Sequence, residues 1–164
     1  MPAPDSQAAG DWARGGYDRN MKSTIAGTPP FGRSYVVVLD MEDDVLERLA
    51  AFLRKEQISV AKFYGIGGFW RVTLAYYDME AKRYLPIEVD EQVEVVSLIG
   101  NVATYQGEPR VHAHCAVGHR DGRTTSGHLL AGIVRPTLEL MVEEIAADLR
   151  RADRPEIGIP LLDF

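Results

Sequence analysis

The chain is poor in cysteine: Cys115 stands alone among 164 residues. No intrachain disulfide can form, and a reducing cytoplasm is the expected compartment. Positive charge is not in excess either, since 18 Lys and Arg face 24 Asp and Glu for a formal net of -6. That balance excludes a chain that, taken whole, holds nucleic acid by neutralising many phosphates, although a basic patch on an acidic body stays open. No apolar run approaches the ~20 residues of a membrane span. Residues 1–30 hold no apolar stretch of the kind a secretory signal carries. Also missing are the Gly-x-Ser-x-Gly elbow, the Walker-type phosphate loop, paired-cysteine zinc ribbons and the His-Glu-x-x-His helix. Histidine is scarce, with four in the chain, all between residues 112 and 128.

What is present suits one globular domain with a sizeable core, at 46% hydrophobic and 26% charged residues. Residues 1–31 are rich in Gly, Pro, Ala and Asp without periodicity and read as a flexible N-terminal arm. Trp12 and Tyr17 are its tying-down points, and Arg14 and Arg19 flank a glycine pair. The domain then spans residues 32–164. Ser34–Leu39 reads as a buried strand. Asp44 opens a capping pattern with Glu47, and Val45, Leu46, Leu49, Phe52 and Leu53 follow at helical spacing, so 44–56 reads as an amphipathic helix. Ile58–Tyr64 and Phe69–Tyr77 read as strands joined by a tight connection at Gly65-Ile-Gly67-Gly68. Tyr84–Val89, Val93–Ile99 and Val111–Val117 add three more, and Asp121-Gly122 marks a hairpin turn. Residues 137–145 suit a strand by alternation and a helix by propensity. The fold class expected is α/β in the broad sense (α+β), with a mainly antiparallel mixed sheet flanked by a few helices.

Side chains two apart on a strand share a face, so His112 and His114 point together and Cys115 points away, as a small buried hydrophobe. The turn at Asp121-Gly122 can return His128 to the pair, and Gly127 before it eases close backbone approach. Three neutral imidazoles suit Zn2+ first and leave a fourth position open, as in catalytic rather than structural zinc. The same spacing also fits hydrogen-bonded histidines that hold no metal. His119, in the turn, reads as solvent-exposed. The glycines at 65–68 are followed by a β-run instead of a capped helix, so they read as structural rather than as a dinucleotide loop.

The string Arg110–Leu140, with its His-x-His strand, acidic-Gly turn, Ser126-Gly127-His128-Leu129 segment and Thr137-x-Glu139 strand, resembles the signature of the plants-and-prokaryotes-conserved (PPC) domain. Ala61–Gly68 and Glu94–Gly100 look like the family's glycine-bearing and Glu-containing strands, and the resemblance covers about residues 32–164. It implies a single PPC-like domain, a homotrimer, and a metal, usually zinc, on His112, His114 and His128. It also favours the strand reading of 137–145. Ser126 stands where the family usually has glycine. The plant members' AT-hook is absent, so that mode of minor-groove reading does not transfer.

Two functions follow as expectations. One is a trimeric, DNA-associated or regulatory PPC protein of bacterial type, with direct DNA contact disfavoured by the net charge. The alternative is a metal-dependent enzyme or small-ligand-binding protein using the open three-histidine zinc site. Glu94 and Glu139 are its weak catalytic candidates as general base, and both equally suit solvent-facing positions on half-buried strands.

Overall fold

The computed structural model describes residues 32–163 in full and residues 22–27 as strand backbone. Nine strands and one helix follow in order: β1 (Lys22–Gly27), β2 (Ser34–Leu39), α1 (Val45–Lys55), β3 (Ala61–Asp78), β4 (Arg83–Val89), β5 (Val93–Tyr105), β6 (Glu108–Gly118), β7 (Thr124–Glu144), β8 (Arg150–Arg154) and β9 (Ile159–Asp163). The architecture is therefore dominated by sheet, with a single helix among the described residues in place of the few expected. β1 pairs with β2 and lies within the stretch that composition assigned to the arm. Trp12, Arg14, Tyr17 and Arg19 lie outside the described residues.

All nine strands belong to one sheet. β3 and β7 form its spine, pairing antiparallel from Ala61↔Glu144 to Ala75↔His128. β5 flanks the first half of β3, and β4 flanks the second. β6 pairs with β5 along its length and with the start of β7. The circuit β3–β5–β6–β7–β3 is thus closed by hydrogen bonds, which removes edges from that part of the sheet. The β8–β9 hairpin joins beside β5 through Thr104↔Arg150.

The glycine segment at 65–68 lies inside β3 and makes no separate connection. The register shifts there, between Gly65 and Gly67 against β5 and between Gly67 and Phe69 against β7, as bulges in the pairing. A side chain at Gly67 would put its Cβ 2.3 Å from the Thr137 carbonyl oxygen, and φ is 152°. Those glycines serve close backbone approach. Residues 137–144 continue β7: Leu138, Leu140 and Val142 are buried while Glu139 and Met141 are exposed. Period-two burial against β2 and β3 decides what propensity left open.

α1 covers the sheet. Asp44 caps it, its Oδ1 accepting the amides of Leu46 (3.0 Å) and Glu47 (2.9 Å). Val45, Leu49, Phe52 and Leu53 are fully buried, and Phe52 meets the Tyr35 ring edge-on at 5.2 Å. At the helix's far end Arg33 forks onto Glu144, Nε to Oε2 at 2.7 Å and Nη2 to Oε1 at 3.0 Å.

Candidate metal centre

β6 and β7 bring three imidazoles together by register. His114 stands directly opposite His128, and His112 lies two residues along β6 on the same face. One ring nitrogen of each lies within 4.8 Å of the others, and the ring centroids are 5.1 to 5.5 Å apart. The trio read from the sequence is gathered as expected. Gly127 permits it: a Cβ there would sit 2.7 Å from the Ala75 carbonyl oxygen, so a larger residue would push β7, and His128 with it, away from β3.

The surroundings keep two of the rings neutral. Burial first, then His112, His114 and the guanidiniums of Arg110 and Arg151, push the pKa of His128 down to about 4. Burial, followed by Arg151 and His114, lowers His112 as well. Neutral imidazoles are the form that ligates a metal. Tyr84 stacks on His128, centroids 4.4 Å apart, and fixes the plane of its ring. His128 Nδ1 is buried and has no hydrogen-bond partner, although buried polar atoms rarely go unpartnered. A clustered donor set with two rings held neutral and one orphaned nitrogen fits a first-row divalent ion.

Beside the rings lies a cavity of about 90 Å3, lined by Tyr84, Arg110, His112, His128 and Arg151 and, on another side, by Ile159–Leu161 of β9. Arg151 Nη2 donates to Asn101 Oδ1 at 2.6 Å, and Asn101 pairs with His112 across β5 and β6. Sequence reasoning missed Tyr84, Asn101 and Arg151. They reach the site from strands far apart in the chain, and no spacing rule links them.

The other sequence candidates lie elsewhere. His119 is enclosed instead of exposed: its side chain is 7% accessible. Nδ1 pairs with Glu91 Oε1 and Nε2 with Thr125 Oγ1, both at 2.8 Å. Cys115 is buried on the opposite face of β6, and desolvation pushes its thiol up to about 12. Neither Glu94 nor Glu139 joins the histidine cluster. Both are exposed, Glu94 opposite Gly118 and Glu139 between Val38 and Ile66.

The pattern of the Plants and Prokaryotes Conserved (PCC) domain matches residues 26–146. Three solved structures share the fold over nearly their whole length. A candidate DNA-binding protein from Bacteroides thetaiotaomicron superposes with a TM-score of 0.82 at 26% identity, covering 88% of this chain and 97% of that one. A plant- and prokaryote-conserved (PPC) protein from Pyrococcus horikoshii gives 0.78 at 31% identity, covering 86% and 98%. A metal-containing protein from Archaeoglobus fulgidus gives 0.75 at 28% identity, covering 87% and 96%. No curated protein matches this chain.

Proposed function

Because this chain belongs to the Plants and Prokaryotes Conserved domain family, we propose that it is a metal-centred protein holding zinc on His112, His114 and His128. The observation that carries this reading is the trio of ring nitrogens within 4.8 Å of one another, one of the rings having a buried, unpartnered Nδ1. The Archaeoglobus relative, described as metal-containing, supports it. When bound, a zinc on three histidines supplies a Lewis-acid position open to one further ligand. The chain's own part is to gather the three imidazoles, hold those of His112 and His128 neutral, fix the His128 plane against Tyr84, and line one side of the site with β9. The activity is that of a small-ligand binder or a metal-dependent enzyme. Elemental analysis of the purified protein should find one zinc per chain, and His112→Ala or His128→Ala should lose it while His119→Ala keeps it. Protein without stoichiometric metal, or unchanged metal content in His112→Ala, refutes the reading.

The assembly we propose is a homotrimer. Tyr64, Ile66, Ile99 and Met141 form an exposed apolar face in which Tyr64 stands opposite both Ile99 and Met141. Ile99 is also the cross-strand partner of His114, the exposed ring of the trio. A second copy seated on this face would cover that side of the metal site. The mass in solution should be three times 18.2 kDa and should fall in Tyr64→Glu.

A DNA-associated role is the second reading, and it rests on relatives described as candidate DNA-binding proteins. The net charge of -6 opposes it. Duplex binding with a steep salt dependence would favour it, and no binding at low salt would remove it.

A further inference from the structure

Arg151 is incompletely satisfied in the cavity. Its Nη2 is tied to Asn101, yet its Nε is buried and has no partner among the described residues. Burial, followed by repulsion from Arg110, lowers its pKa. The lining contains no Asp or Glu, so two guanidiniums and two imidazoles surround a space without a counter-charge. Leaving a buried guanidinium N–H without an acceptor is costly, and the positive groups gathered around a half-buried arginine repel one another.

We propose that Arg151 and Arg110 make this cavity a receptor for a small carboxylate, bound beside the three histidines. The inference deepens the metal reading by naming the ligand class of the same site. Arg151 offers its free Nε–H from inside. Arg110 is exposed at the mouth, lying over the Tyr105 ring at 5.2 Å, where it draws an anion in. Size and wall chemistry choose among oxyanions. A cavity near 150 Å3 accepts benzene, so the 90 Å3 here suits a head of roughly four non-hydrogen atoms. The charged donors come from the arginines, while Val111, Ile159, Pro160 and Leu161 present apolar walls. A carboxylate on a short aliphatic stem satisfies both sides. Phosphate would turn oxygens toward walls that cannot hydrogen-bond.

Calorimetric titration of the full chain with acetate and with inorganic phosphate, before and after removal of metal by a chelator, tests this. Acetate should bind at millimolar concentration and more tightly than phosphate. Arg151→Gln should weaken acetate about 10-fold or more, consistent with loss of a charge-assisted hydrogen bond. Arg110→Gln, at the exposed rim, should weaken it by a smaller factor. Arg151→Lys keeps the charge without Nε, and it should lose most of the binding and keep the metal. If Arg151→Gln does not fold, the lysine and Arg110 variants carry the decision. Equal acetate affinity in wild type and folded Arg151 variants, preference for phosphate, or no acetate binding overturns the inference. A chain that holds zinc without arginine-dependent acetate binding sinks this inference alone. Arginine-dependent binding in a chain that never holds metal sinks the metal reading alone.

Discussion

The two ends of β7 are built from one strand and behave as opposites. Toward its C-terminus, Leu138, Leu140 and Val142 are completely buried in the core shared with α1, and Glu144 is engaged by Arg33 on both oxygens. Toward its N-terminus, His128 and the nearby Arg151 each bury a nitrogen that bonds to nothing. Among the described residues one other buried side-chain atom shares that condition, Asp40 Oδ2 in the turn before α1. Apolar packing needs no partner beyond itself, whereas an orphaned donor beside a cavity is satisfied by a guest. One end of the strand is finished by folding and the other is finished by binding.

The largest expected effect falls at the packed end. Phe52→Ala removes a fully buried ring in contact with Tyr35 and should cost about 3–5 kcal/mol in chemical denaturation. The folded fraction should still hold metal and acetate with wild-type stoichiometry. A variant that stays folded and loses metal would break the division between the two ends.

The second effect falls at the binding end and depends on pH. In the metal-free chain His128 titrates at about 4 when folded, against 6.5 as the ordinary value. Between those values the unfolded chain binds a proton that the folded chain refuses, so stability rises with pH across that window and is lost on acidification from 6.5 toward 4. For a half-buried ring, solvent screening leaves about 1–2 kcal/mol of this. Glu144, held down by its hydrogen bond to Arg33, adds a loss only as pH falls below the ordinary 4.5. Comparing denaturant midpoints of metal-free wild type and His128→Gln at pH 7 and 5 isolates the imidazole. The variant should show the flatter dependence, and identical slopes would remove His128 as the source.

The same contrast explains what could be read from the sequence. The packed end is legible because burial repeats with a fixed period: Val37 and Leu39 on β2, or Leu49, Phe52 and Leu53 on α1, announce their faces locally. The histidine trio is half legible, since His112 and His114 are two apart and a recognisable turn returns His128. The remainder of the site is set by long-range register. Asn101 meets His112 through β5–β6 pairing, and Arg151 arrives on a hairpin attached through a single residue pair. Nothing local marked Arg151 as a site residue. The glycines at 65–68 misled for a related reason. Their meaning, room for β3 to lie close against the β7 backbone, lies in the neighbouring strand and not in their own segment. His119 is a turn residue as read but looked exposed, because the two partners that enclose it, Glu91 in the β4–β5 connection and Thr125 at the start of β7, lie outside its own segment.

The smallest effect tests how cleanly the two ends are separated. Asp44 caps α1 through two amides, and Asp44→Ala should cost about 1 kcal/mol, the usual worth of an N-cap carboxylate. The same helix reaches toward the site. Leu46 and Ala50 line a groove whose other walls include Arg110 and His128. If α1 only closes the core, the variant unfolds slightly earlier and binds acetate and metal as wild type does. If the first turn also braces the groove, fraying it should weaken acetate binding in a sample that is still fully folded. The helix would then belong to both regions, and the boundary between them would lie within α1, not along β7.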